Sequence, residues 1–121
     1  MPEILIDNII LADNVKVCKD IFSRSKGLRF SKRLKKGQAI LLIATEESIF
    51  ETIIDMFFVF FSIDIIWLDK NKRVVDIRRN VKPFSPLIMP LKPAKYVIEL
   101  PKNASKHVKI NDVIEFNLEQ V

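Results

Sequence analysis

The stretch "TIIDMFFVFFSIDIIWL", residues 52–68, limits most strongly what this chain can fold into. It holds the only tryptophan and four of the nine phenylalanines, together with two aspartates. A membrane-spanning helix needs about 20 mostly apolar residues, and a charge at its centre is costly. Any window of that length over this stretch contains both Asp55 and Asp64. We therefore expect no membrane insertion and interpret the stretch as two buried strands, Met56–Phe61 and Ile63–Leu68.

The length and composition of the chain predict a single globular domain and exclude several classes of enzyme. A chain of 121 residues with 49% hydrophobic residues has the size and the apolar content of one domain, residues 1–121. One cysteine and one histidine exclude disulfide frameworks and clusters of these residues around a metal. Two glycines are too few for a phosphate-binding loop or a dinucleotide fingerprint. We expect neither metal nor cofactor. The start Met1-Pro2-Glu3 lacks a signal-peptide pattern, so we expect a cytoplasmic protein.

Alternating apolar residues and turn formers predict mostly strands. Residues 3–17, 38–45, 95–100 and 112–118 have strand patterns, and residues 63–79 have the pattern of a hairpin that pairs Leu68 with Arg73 and Asp64 with Ile77. Short helices are predicted from Asp20 to Gly27 and over residues 103–108. The predicted class is α+β and strand-dominated: a small curled mixed or antiparallel sheet, or a barrel, with one or two short helices.

An ordered series of segments resembles domain of unknown function family 192 in its archaeal form. The series is "SRSKGL" (23–28), "DMFFVFFSIDIIWLD" (55–69), "NVKPF" (80–84), "YVIELP" (96–101) and "IND" (110–112), and the resemblance covers about residues 11–118. It implies a compact β-rich barrel with a helix, and it implies no activity. The family often has histidine where this chain has Asp55 and a Gly-Asp pair where it has Asn111-Asp112.

Two carboxylates are candidate site residues. Asp64 lies among isoleucines, where burial would raise its pKa and favour a functional site. The alternative is a structural role, as a strand cap or as a partner of Arg79, its diagonal neighbour in the predicted hairpin. Glu99 lies on the opposite face of its strand from Tyr96, so we expect it to be exposed, at a polar rim that it shares with Tyr96. Asp64 and Glu99 together could act as general acid and base in a small hydrolase.

A basic segment and a proline-rich loop complete the candidate surface. Seven cations and no acid lie within residues 24–36, among them Arg24, Arg29 and Arg33. Such a segment can bind phosphates, which makes an RNA-binding accessory domain a further alternative. The apolar loop 82–94 either closes the core as a lid or, if Phe84 and its neighbours are exposed, lines a groove. We predict a non-catalytic module, monomeric or a small homo-oligomer, that binds a small molecule, a peptide or a nucleic acid between these two segments.

Overall fold

The chain folds into eight strands joined by turns, with one short 3₁₀ helix, in a computed structural model that describes residues 2–20 and 26–117. The strands are β1 (Glu3–Ile6), β2 (Ile9–Ala12), β3 (Asn14–Cys18), β4 (Gln38–Ser48), β5 (Ile63–Leu68), β6 (Val74–Val81), β7 (Ala94–Pro101) and β8 (Ile114–Asn117), and the 3₁₀ helix is Phe50–Thr52. Within the described ranges, no helix is long and apolar enough to cross a membrane.

The strands form two separate sheets. A five-stranded sheet has the order β3-β4-β7-β5-β6, with β3 and β4 parallel and the other pairs antiparallel. A three-stranded antiparallel sheet has the order β2-β1-β8. The prediction of a strand-dominated fold is therefore confirmed. The predicted barrel is not found, because the ladder of described strands ends at β3 and β6 instead of closing.

The two helices that the sequence predicts have different outcomes. Most of the predicted helix from Asp20 to Gly27 lies at residues 21–25, outside the described part of the chain. Over residues 103–108 the prediction is wrong, since this segment is a series of turns. The amides of Ala104, Lys106 and Val108 each donate to a carbonyl three residues earlier. Such turns are typical of short polar connections and do not amount to an α-helix.

The central sheet is covered on both faces. One face packs against the three-stranded sheet, and its core includes Leu41, Ile66 and Ile98 with Ile4 and Ile114 of the smaller sheet. The other face is covered by loop residues instead of a second sheet. Its core joins the strand residues Leu42, Ile63, Ile65, Trp67 and Val97 to the loop residues Leu28, Ile54, Met56, Val59, Phe61 and Ile88. This loop-covered face carries the candidate site.

The hairpin of β5 and β6 is confirmed, but its predicted register is wrong. Ile63–Leu68 forms a fully buried strand, as the sequence predicts. Ile66 pairs with Ile77, and Leu68 pairs with Val74. Irregularities in both halves of the ladder shift the pairing. The side chain of Asp69 also accepts hydrogen bonds from the turn, which lengthens the loop beyond a tight hairpin.

The predicted aromatic strand Met56–Phe61 is wrong. The chain turns at Phe58, whose φ of 58° is left-handed, and the amide of Val59 donates to the carbonyl of Met56. Met56, Val59 and Phe61 are buried, whereas the phenylalanines between them are exposed. Turn geometry thus replaces the alternation of a strand.

Candidate functional site

An open cavity of about 280 Å³ lies on the loop-covered face of the central sheet. Its floor is formed by β4 and β7, and its walls by loop residues before β4 and between β4 and β5. The lining combines apolar side chains with charged groups, which lie at both the floor and the rim. The lining residues include Lys26, Leu28, Arg29, Leu42, Glu51, Ile54, Asp55, Val59, Val97 and Glu99. A concave surface with apolar side chains and converging polar groups is typical of a small-molecule site.

Glu99 is the polar group at the floor of the cavity. It lies on β7, the middle strand of the sheet, directly between Ile40 of β4 and Ile65 of β5. The residue is only 4% exposed, and its Oε1 atom has no hydrogen-bond partner among the described residues. Burial, with a smaller contribution from the charge of Asp55, raises the pKa of Glu99 from 4.5 to about 7. At neutral pH this carboxyl group can therefore either donate or accept a proton.

An ion pair forms part of the rim. The Oδ2 atom of Asp55 accepts a hydrogen bond from Nη2 of Arg29 at 2.7 Å, and both side chains are about 30% exposed. The other carboxylate oxygen, Oδ1, accepts one from the amide of Phe57 at 3.1 Å. The first bond joins the basic segment to the loop before β5, and the second lies within that loop. The ion pair thus places one positive and one negative group near the carboxyl group of Glu99, whose raised pKa allows it to be neutral.

Another part of the wall is positioned by the 3₁₀ helix. The indole Nε1 of the buried Trp67 donates to the carbonyl of Thr52 at 2.8 Å, which fastens the helix to the central sheet. The carboxylate of Glu51 accepts hydrogen bonds from the amide and the hydroxyl of Thr45. The rim is thus tied to β4 and β5, two strands of a rigid scaffold.

Some of the predicted site residues lie at this cavity. Glu99 and Arg29 line it. Arg33 lies in a neighbouring groove, which shares Gly27 and Leu28 with the cavity. Phe84 is exposed and contacts Phe58 and Phe60 through its ring. Arg24 lies outside the described residues.

Asp64 lies elsewhere. It pairs with Leu100, the neighbour of Glu99, so Asp64 and Glu99 point to opposite faces of the sheet. The proposed acid–base pair of a hydrolase is therefore not formed. Asp64 is fully buried, and its oxygens accept hydrogen bonds from the amide of Asn80 and from the amide and hydroxyl of Ser105.

Arg79 and Tyr96 also lie away from the cavity. No ion pair joins Asp64 and Arg79 in the described ranges. Arg79 instead donates to the carbonyls of Ser105 and Val108, so both side chains fasten the same connection. Tyr96 is half-buried on the face toward the smaller sheet, where its ring meets Phe116 edge-on.

The expected exposure of Glu99 is wrong for a physical reason. The sequence correctly places it on the opposite face of β7 from Tyr96, but loops cover that second face as well. The sequence predicts no role for Asp55, although the family often has histidine at this position. This departure is the available signal, because Asp55 lies at the rim of the cavity.

The proline-rich loop is partly buried and partly exposed. Ile88 and Pro90 are buried, and Ile88 forms an antiparallel bridge with Ile54. Phe84, Leu87 and Met89 are exposed, which is the condition that favours a groove over a lid. Among the described residues, no group of three or more histidine, cysteine or acidic side chains could hold a metal ion.

Comparison with known proteins identifies the family. The model of the DUF192 family, described as an uncharacterized ACR, matches residues 5–116. The chain belongs to the DUF192 family. A UPF0127 protein of Thermococcus sibiricus is 32% identical over 108 residues, which are 88% of this chain and 68% of that protein. A UPF0127 protein of Pyrococcus horikoshii is 32% identical over 102 residues, 84% of each chain.

A solved structure has the same fold. A protein of unknown function from Novosphingobium aromaticivorans has a TM-score of 0.82 against this chain at 17% sequence identity, and the match covers 94% of this chain and 82% of that one. At this identity the likeness shows the fold alone. The function of this DUF192 protein must therefore be argued from its own cavity.

Proposed function

We propose that this DUF192 protein is a non-catalytic module that binds a small organic molecule in the Glu99 cavity. The observation that carries the proposal is the buried Oε1 atom of Glu99, which lacks a hydrogen-bond partner among the described residues and belongs to a residue that lines an open cavity. An unpaired buried acceptor costs about 1–3 kcal/mol of stability. A ligand that donates a hydrogen bond to this oxygen would remove that cost.

The cavity defines what such a ligand must contain. Leu42 and Val97 at the floor, with Ile54 and Val59 in the walls, form an apolar surface that suits an apolar or aromatic body. Glu99 at the floor suits an N–H donor, above all an amine, because a cation favours the charged form of the carboxyl group.

We also propose that the protein is cytoplasmic and is a monomer or a small homo-oligomer.

The enzyme hypothesis has weaker support. A hydrolase that uses Asp64 with Glu99 requires two carboxylates at one site, and the register of β5 and β7 separates them. Glu99 alone, with a pKa near 7, could act as a general base. A second catalytic group at a known distance from it is what this hypothesis lacks. Binding without chemistry is therefore the preferred function.

Benzylamine and benzyl alcohol are suitable probes because they share one body and differ in the charge of the donor. We expect amide chemical shifts, followed by NMR during titration, to change at Leu42, Ile54 and Val97 with either probe. Glu99→Gln should weaken benzylamine binding at least tenfold and benzyl alcohol binding much less. Glu115→Gln, which removes the same charge at an exposed position of β8, should change neither. Shift changes scattered over the surface, or equal benzylamine affinity in Glu99→Gln, would refute the proposal.

A further inference from the structure

Four exposed phenylalanine rings meet on the surface beside the cavity. The rings of Phe30 and Phe58 are stacked, with centroids 4.7 Å apart. Phe84 contacts Phe58 edge-on at 6.1 Å and Phe60 edge-on at 5.0 Å. Each ring remains between 43% and 72% exposed. We name this surface the aromatic platform, formed by Phe30, Phe58, Phe60 and Phe84.

The backbone holds the aromatic platform in a costly conformation. Phe30, Phe58 and Phe84 have φ values of 57°, 58° and 62°, which bulky residues rarely adopt. The amide of Phe30 donates to the carbonyl of Phe58 at 2.9 Å, and the amide of Phe84 donates to that of Met56 at 3.0 Å. Three loops are thereby joined so that they present aromatic rings to solvent. Strain of this kind concentrates at functional sites.

A basic groove adjoins the aromatic platform. It has a volume of about 350 Å³ and is lined by Lys16, Lys32, Arg33 and Lys35, with no acidic residue in its lining. Phe30 lies two residues before Lys32, so a single short segment contributes to both surfaces. The segment 26–37 has six cations and no acid. The groove therefore complements a chain of negative charges.

We propose that the aromatic platform and the basic groove bind single-stranded nucleic acid. Bases stack on the exposed phenylalanine rings, and phosphates follow the lysine and arginine side chains of the groove. This combination of aromatic stacking with a positive track is how proteins bind single strands without sequence preference. The aromatic and basic side chains that carry this proposal do not line the Glu99 cavity, so either proposal can fail alone.

A nucleic acid fits this surface better than a lipid bilayer does. Asp55 accepts a hydrogen bond from the amide of Phe57, in the loop that carries Phe58 and Phe60. Insertion of the aromatic platform into a bilayer would carry this carboxylate toward the hydrocarbon, which is unfavourable. A base can instead donate from its amino group to a nearby carboxylate. Vesicles therefore serve as the competing outcome in the test.

The test is fluorescence anisotropy with a labelled 12-nucleotide oligocytidylate, whose bases carry an amino group, and the full chain. We expect binding at low salt, and a log–log salt dependence with a slope of about −2 if roughly three phosphates are neutralised. Phe30→Ala with Phe60→Ala should weaken binding at least fivefold, because each stacked base is lost. Phe50→Ala removes a phenylalanine that is 86% exposed and lies outside the platform, so affinity should stay within twofold.

A charge-matched pair tests the basic groove. Lys32→Gln with Arg33→Gln should weaken binding at least tenfold, whereas Lys106→Gln with Lys109→Gln should change it little, although both variants lose two charges. Equal affinity for heparin, a polyanion without bases, would overturn the stacking claim. The proposal would be overturned if the wild-type chain did not bind the oligonucleotide at low salt. It would also be overturned if the chain bound phosphatidylserine vesicles but not the oligonucleotide. Both outcomes are measured on the wild type, so they hold even if the variants fail to fold.

Discussion

Glu99 occupies a buried position whose surroundings suit an apolar residue. It lies between two isoleucines on the middle strand, beneath loops that also bury Leu28 and Val59. Desolvation favours its neutral form, and nearby Asp55 acts in the same direction. Because a carboxylate here costs stability, its presence indicates a role other than packing.

The raised pKa of Glu99 predicts how stability depends on pH. Between its unfolded value of 4.5 and its folded value of about 7, the folded state binds more protons, so stability falls as pH rises through this window. The loss amounts to roughly 3 kcal/mol by pH 8. Urea unfolding gives the free energies of unfolding of wild type and Glu99→Gln at pH 4 and at pH 8. The change with pH in the difference between the two proteins measures this loss. A difference that does not change with pH would contradict the raised pKa.

Asp64 illustrates the opposite case, a buried carboxylate whose hydrogen bonds are supplied by the fold. It accepts hydrogen bonds from Asn80 and Ser105, which fixes the end of β6 and the connection between β7 and β8. Asp64→Asn places an amide group among these donors, and we expect a loss of roughly 2–4 kcal/mol in the free energy of unfolding. Asp7→Asn, the same change at an exposed position, should cost less than about 0.5 kcal/mol.

Ligand binding separates the two possible roles of Asp64. We expect the Asp64→Asn variant, where it remains folded, to bind benzylamine as the wild type does, because Asp64 lies on the other face of the sheet. A stable variant with weakened binding would show that Asp64 belongs to the site.

At the scale of the elements, the connection between β7 and β8 explains a departure from the family pattern. Asn111 stands where the family often has glycine, and its φ is 76°. This left-handed conformation favours glycine and is tolerated by asparagine. The amide of Asn111 donates a hydrogen bond to the carbonyl of Val74, and the carbonyl of Asn111 accepts one from the side chain of Arg73. The residue thus fixes the connection against β6 through its backbone.

Substitution of Asn111 should follow this backbone requirement. Asn111→Gly is expected to leave thermal stability unchanged or slightly higher, while Asn111→Ala is expected to lose about 1 kcal/mol. Thermal unfolding followed by circular dichroism compares the three proteins. Equal stability of the alanine and glycine variants would mean that the left-handed conformation is not required.

Strands with a clear apolar pattern could be predicted from the sequence, and the loop geometry could not. Ile63–Leu68 was predicted with its bounds because six apolar-rich residues end at turn formers. The aromatic segment before it has a similar pattern, yet it turns at Phe58 because backbone bonds to the proline-rich loop replace a strand partner. Such long-range partners leave no local signal in the sequence.

At the scale of the whole molecule, two sheets and a layer of loops create both candidate surfaces. The smaller sheet covers one face of the central sheet, which leaves the loops to cover the other. The cavity lies on the face that the loops cover. The sequence predicts Glu99 and Arg29 as site residues but does not show that they share one cavity. That cavity exists because loops cover one face of the central sheet while the smaller sheet covers the other.

The central claim is that the carboxyl group of Glu99 lies in a ligand cavity, and its own titration tests that claim most directly. With ¹³C-labelled glutamate, the carboxyl resonance of Glu99, assigned by its absence in Glu99→Gln, reports the pKa. We predict a value of about 7 in the free protein and a lower value when benzylamine is bound, because an ammonium group stabilises the carboxylate. A pKa near 4.5 in the free protein, or one that benzylamine leaves unchanged at saturation, would contradict the account.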